Sequence, residues 1–262
     1  MIGVVATARK LNQLEDLVAK YGAQVTTVRV DVTSEPEAND AVTAAVEDFG
    51  GLDVVVNNAG YGDLRPFEQV SSADFRALVE TCFYGVVNVT RAALPVLRKQ
   101  RRGHIIQISS LGGRTAFPGN AAYFAAKWAV GGFTEGLAME VAPFGVKVTA
   151  LEPGGMRTNW GKRASVERPA ILPEYEDSVG ALVRQLDAYW GNESGDPEKV
   201  AEVILRIAET EVLPPHILLG GDAYDMARQA ESQRIESALQ WEAVSRWTDV
   251  SSDGPMPSFP NK

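Results

Sequence analysis

The sequence predicts an α/β fold: a doubly wound, mostly parallel sheet in three layers, with helices on both faces. Three observations predict it. Short apolar runs rich in β-branched residues alternate with stretches of helical spacing along most of the chain. The joints between them are short, so successive strands run parallel and the helices cross over between them. The run Leu52–Val56 is an apolar strand of the kind that a parallel sheet buries on both faces.

In chain order, Gly3–Ala8 is a strand candidate, and Lys10–Tyr21 shows helical spacing through Leu11, Leu14, Leu17 and Val18. Val25–Val30 is a second strand, ending in Asp31. Glu35–Phe49 reads as a helix with Ala38, Val42, Ala45, Val46 and Phe49 on one side. After the Leu52–Val56 strand, Ser72–Arg98 is a long helical stretch, interrupted by Gly85 and ending near Pro95. His104–Ile108 is the next strand and Ala121–Val141 the next helix. Val146–Leu151 is a strand that runs into Pro153-Gly154-Gly155. Pro197–Ala208 is a helix, and His216–Leu219 a last strand before Gly220-Gly221. Residues 156–196 break the rhythm and carry Trp160, Tyr175, Tyr189 and Trp190. There is no repeat and no linker, so residues 1–250 read as one domain. Residues 251–262, rich in Pro, Ser and Gly, are expected to be a disordered tail.

Composition excludes several classes. Twenty-five basic against 34 acidic residues give a formal charge of −9. Nonspecific binding to nucleic acid or to an anionic membrane needs a basic face, so neither is expected. No apolar run approaches the roughly 20 residues of a membrane span. The opening MIGVVATARK turns charged too soon for a secretory leader. Cys82 is the only cysteine, so no intrachain disulfide can form, and a reduced, cytoplasmic setting is the expectation.

Three residues stand out chemically: Ser110, Tyr123 and Lys127. The Tyr and Lys are four apart in a predicted helix and so share a face. A tyrosine with a pKa near ~10 is a poor acid or base at neutral pH. A nearby ammonium favours the phenolate and makes proton exchange with an alcohol or carbonyl feasible. Ser110 ends a strand, where an open parallel sheet places its ligand crevice, and can hydrogen-bond a substrate oxygen. A Tyr-x-x-x-Lys pair alone is common and usually lies on the surface. Its weight here comes from Asn57-Asn58-Ala59-Gly60, Ser109-Ser110 and Pro153-Gly154, which follow three strands as small or polar loops. His104 and His216 lack metal-ligand spacing, and no metal is expected.

With DVT (31–33), NNAG (57–60), ISS (108–110), YFAAK (123–127) and EPGG (152–155), the chain resembles the short-chain dehydrogenase/reductase family from about Val4 to Ala223. The style of ATAR (6–9), GHIIQISSLGG (103–113) and LLGGDA (218–223) is similar to its 17β-hydroxysteroid-dehydrogenase-like branch. The resemblance implies a Rossmann-type fold and hydride transfer between a nicotinamide and a carbonyl or alcohol. Tyr123 would exchange the proton, Lys127 hold the nicotinamide ribose, and Ser110 orient the carbonyl. Asp31 and Val32 would flank the adenine, and Asn58, Ala59 and Gly60 line the cofactor cleft. Thr158, after the Pro153-Gly154 turn, would sit by the carboxamide. The place that holds an acid in NAD-preferring enzymes reads Thr7-Ala8-Arg9-Lys10. Arg9 can fork onto a 2′-phosphate, which points to NADP with NAD as the alternative; otherwise Arg9 and Lys10 merely open an exposed helix. A homodimer or homotetramer built on helices 72–98 and 121–141 is also implied.

Two departures bear on this. The family pattern begins with a strand, a TGxxxGxG turn and a helix, together about 30 residues. This sequence opens at the second strand, so an N-terminally truncated member lacking the first strand and glycine-rich turn is expected, with exposed strand edges. In the usual T-N-F-x-G segment, Cys82 replaces the Asn, whose family role is a proton relay to the Lys; a thiol orders water poorly. The aromatic segment 156–196, with Trp160, Leu172, Tyr175, Leu186 and Trp190, reads as a lid over a bulky hydrophobic substrate. The rival reading is a catalytically impaired fragment or pseudoenzyme that acts as a non-catalytic binding module.

Overall fold

The computed structural model describes residues 2–165, 169–251 and 254–260. Strands β1 (Val4–Ala8) and β2 (Val25–Arg29) are joined through a 3-10 turn and the short helix α1 (Glu15–Tyr21). Helix α2 (Glu35–Phe49) starts at Ser34, whose hydroxyl accepts from Glu37 N–H, with a proline in its first turn. Strand β3 (Val54–Asn57) follows. The expected long helix 72–98 is α3 (Ser72–Val79), a π turn (Glu80–Tyr84) and α4 (Gly85–Gln100) in one continuous run. Then come β4 (Gly103–Ile108), α5 (Ala121–Val141), β5 (Val146–Pro153), α6 (Trp160–Ser165), α7 (Ala181–Tyr189), α8 (Pro197–Glu209), β6 (His216–Leu219), α9 (Gly221–Gln240) and α10 (Glu242–Trp247).

All strand pairings are parallel, but the sheet is in two pieces: β1 pairs with β2, and β3-β4-β5-β6 form a four-stranded sheet. β1 and β3 are both unpaired on one side. Alternate side chains of the larger sheet feed two cores. Ile105 and Val148 pack with Ala93, Leu97, Leu137 and Val141 of α4 and α5, while Ile106 and Leu151 pack with Ile207 of α8. This gives the three layers. The strand expected to be buried on both faces is only partly so, because Val56 is 43% exposed beside the gap.

Three further differences have local causes. Pro95 does not end the helix; it lies inside α4 at an exposed position, where the carbonyl freed one turn earlier faces water. Residues 156–196 hold α6, α7 and two irregular turns, apart from 166–168, which lie outside the described residues. Of the tail expected to be disordered, 252–253 and 261–262 lie outside the described residues. Residues 254–260 fold back without regular structure: Trp247 Nε1–H donates to the Gly254 carbonyl at 3.2 Å, and Phe259 lies 5.2 Å from the Trp241 ring.

Candidate active site

The site grows from the carboxyl ends of β3, β4 and β5. Past β4, Ser110 opens a 3-10 turn, its Oγ accepting from Gly112 N–H at 3.0 Å. That fixes the hydroxyl beside α5, where it hydrogen-bonds the Tyr123 hydroxyl. One turn along α5, Lys127 Nζ donates to the Ile108 carbonyl at 2.7 Å and stands 5.6 Å from the Tyr123 ring centre. Cys82, in the π turn, is buried and donates its thiol to the Tyr61 carbonyl at 3.4 Å. A Cβ on Gly60 would lie 3.5 Å from Cys82 Sγ and 3.8 Å from Lys127 Nζ, so thiol and ammonium face the same stretch of backbone. Ser110, Tyr123, Lys127, Cys82 and Gly60 therefore form one cluster.

Trp160, at the start of α6, closes it. Its ring is 5.3 Å from Tyr123 and 6.4 Å from Trp190, and its indole lies so close on Gly62 that a Cβ there would meet it at 2.5 Å. Tyr123 is left 9% exposed. Desolvation dominates as a result. Burial pushes the Tyr123 hydroxyl above its ordinary 10.0, although the Ser110 hydrogen bond pulls the other way. Burial likewise holds the Lys127 ammonium below its ordinary 10.5 and pushes the Cys82 thiol up. The expectation that Lys127 lowers the Tyr123 pKa is thus not met: both groups are dehydrated, and Lys127 is engaged by the Ile108 carbonyl.

Beside this cluster, a cavity of about 630 Å³ opens between the two sheets. Val5 and Thr7 of β1 line one side and Val56, Asn57, Asn58 and Ala59 the other, with α4 and α8 supplying apolar walls. Of the expected cofactor residues, it brings together Val32, Asn58, Ala59 and Thr158. Pro153 and Gly154 are not in its wall but carry Met156 and Thr158 into it. Asp31 closes on itself instead: its Oδ1 accepts from Thr33 N–H at 3.0 Å and from the Thr33 hydroxyl at 2.8 Å. Those bonds, the hydroxyl's first, hold its carboxyl below the usual range. Arg9, at the end of β1, is exposed, interacts electrostatically with Asp31, and has no ion pair among the described residues.

Sequence reasoning named Asn57 only within the NNAG stretch, without a role of its own, and singled out neither Met156 nor Asp222. Asn57 is buried and donates to Thr90 Oγ1 (3.1 Å) and Gln107 Oε1 (2.8 Å), pinning the end of β3 to α4 and β4. His104 is a core residue, paired with Thr149 Oγ1 at 3.1 Å and pulled down to about 4 by burial, so it stays neutral. Among the described residues no cluster of His, Cys, Asp and Glu is placed to hold a metal, and no helix is long and apolar enough to cross a membrane.

Residues 2–168 match the family described as short chain dehydrogenase. The chain belongs to that family. Oxidoreductase BOA17 of Botryotinia fuckeliana is 44% identical to it, over 92% of this chain and 88% of its own length. The crystal structure of a short-chain dehydrogenase from Streptomyces avermitilis superposes with a TM-score of 0.83 at 37% identity, covering 94% of this chain and 90% of that one. ElxO with NADP bound is similar at a TM-score of 0.66 and 27% identity, over 81% of this chain and 84% of its own. This short-chain dehydrogenase is an NAD(P)-dependent oxidoreductase with a parallel-sheet, Rossmann-type fold.

Proposed function

We propose that the chain reduces carbonyls, or oxidises the matching alcohols, of bulky hydrophobic small molecules with a preference for NADP(H). The observation that carries this is the Ser110–Tyr123 hydroxyl pair set one helical turn from Lys127 at a strand-end crevice. The residues fit a dinucleotide: polar strand ends meet apolar helix walls across a cavity of about 630 Å³, and Arg9, exposed and without an ion pair among the described residues, lies two residues past Thr7 of the cavity wall. Asn58, Ala59, Gly60, Val32 and Thr158 would hold it, with Arg9 on a 2′-phosphate. When bound, it supplies or accepts the hydride.

The chain's own residues do the rest. Ser110 orients the substrate oxygen, and Tyr123 Oη exchanges the proton with that oxygen. Lys127 would hold the nicotinamide ribose and, released from the Ile108 carbonyl, would favour the phenolate. Cys82 stands where its thiol orders a relay water poorly, which slows proton resupply. Trp160 and Trp190, with the Phe117–Phe124 pair at 4.6 Å, make the substrate side aromatic, and Trp160 must move for a substrate to reach Tyr123. Exposed Tyr84, Trp128 and Met139 on the α4–α5 side support a homodimer or homotetramer, to be checked by light scattering.

Steady-state kinetics with NADPH and NADH on aryl, steroid-like and long-chain ketones test the proposal. Reduction with NADPH preferred at least about tenfold in kcat/KM is expected from one lost phosphate contact. Preference for NADH overturns the cofactor assignment. A second reading, a non-catalytic binding module, is favoured by the sealed Tyr123 and engaged Lys127. Tight NADPH binding without turnover of any ketone would establish it.

A further inference from the structure

The turn that brings Met156 and Thr158 to the cavity is held from behind by a carboxylate. Gly220, at φ 108°, lets the chain leave β6 and open α9, which places Asp222 in that helix's first turn. Asp222 Oδ2 accepts from Gly155 N–H at 2.9 Å. The carboxylate also lies flush on Gly154: a Cβ there would stand 2.4 Å from both of its oxygens. On the next residue a Cβ would meet Tyr189 Oη at 2.2 Å, so a side chain at either position would have to displace the Asp222 carboxylate or the Tyr189 ring. Backbone bonds complete the clamp, from Gly154 N–H to the Leu219 carbonyl (3.0 Å) and from Gly195 N–H to the Gly155 carbonyl (2.9 Å).

The second oxygen, Oδ1, is buried without a hydrogen-bond partner among the described residues. An acid that served only the start of α9 would gain the helix dipole while staying hydrated. Burying half of a carboxylate unpaired is costly. The start of α9 offsets part of that cost, and what the burial secures is the single bond to Gly155.

We infer that Asp222 is a positioning residue for cofactor binding, fixing the Pro153–Met156 backbone and through it the placement of Met156 and Thr158 on the cavity wall. This rests on the proposed nicotinamide site. Asp222→Ser keeps a residue suited to a helix start but is too short to reach Gly155, and Asp222→Asn keeps the acceptor oxygen in place. For the Ser variant, KM for NADPH is expected to rise about tenfold with a smaller fall in kcat, as for one lost charge-assisted hydrogen bond. Amide hydrogen exchange over residues 154–158, without cofactor, should speed up in the same variant, and Asn should restore both within about threefold. An unchanged KM in the Ser variant, unaltered exchange, or an Asn variant as impaired as Ser overturns the inference alone. An unmodified chain that binds neither NADPH nor NADH overturns the proposed function first, and this inference with it.

Discussion

β1 and β2 on one hand, and β4 and β5 on the other, are built from similar apolar, β-branched sequence, yet they end up in different environments. No residue of β1, α1 or β2 is buried, whereas β4 buries four consecutive residues and β5 all but one of its eight. Propensity does not account for the contrast, because VVATA and VTTVR are as good strand formers as GHIIQI. Neighbours account for it. β4 and β5 have strands on both sides and helices above and below, while β1 has one partner and a cavity. Composition makes a strand; partners on both edges bury it. The candidate chemistry divides along the same line. Ser110, Tyr123 and Lys127 stand on the four-stranded side, and Arg9 and Asp31 on the two-stranded side.

Four measurements bear on that division. The largest effect is expected from Tyr123→Phe, which should cut kcat by about 10²–10⁴ while leaving the NADPH-to-NADH ratio unchanged. An altered ratio would mean that the two sides do not act separately. Leu97→Ala, in the core under the larger sheet, should cost about 2–5 kcal/mol in denaturant unfolding. Val5→Ala on β1 should cost about 1 kcal/mol or less, and equal losses would erase the contrast in burial. Arg9→Ala should lower kcat/KM for NADPH about tenfold and leave NADH kinetics and thermal stability alone.

The smallest effect concerns His216, which ties β5 and β6 to α5 through Glu152 (2.8 Å) and Glu135 (2.8 Å). The hydrogen bond to Glu152 is the main cause of its pKa rising above the ordinary 6.5. Charged His216 therefore stabilises the fold fully below that ordinary value, and the contribution fades as pH rises through the higher folded value. The gap in melting temperature between unmodified chain and His216→Gln should be widest near pH ~5.5 and shrink toward pH ~8. A gap constant with pH would remove the charge from the account.

What could be read from the sequence was local. Helices Glu35–Phe49 and Ala121–Val141 and strand His216–Leu219 have the expected bounds because caps, apolar spacing and flanking glycines mark them. The gathering of Ser110, Tyr123 and Lys127 followed from one helical turn and one strand end. α9 escaped notice because its polar sequence shows no clear apolar stripe, and only Ala223 and Ala227 are buried. The suppressed acidity of Tyr123 was also hidden, since Trp160 reaches it across 37 residues and burial is a property of the assembled fold. Asp222 and Gly155 are 67 residues apart, and the acid behind Gly220-Gly221 is the one sequence trace of their contact.

The π turn at Glu80–Tyr84 has a consequence for what this chain tolerates. A wide turn of this kind takes in one residue more than an α turn, and each helical residue advances the spiral by roughly 100°. The wide turn therefore absorbs the surplus residue locally, and α3 and α4 keep their phase on either side of it, with Ala93 and Leu97 on the sheet they cover and Asn88 on the Val32 carbonyl. Losing one residue within the stretch would close it to an α turn and leave α4 facing as it does. Losing one within α4, before Asn88, would spin the rest of that helix by over a quarter revolution and carry all three side chains off their partners. The bulge has slack for one residue; the helix after it has none.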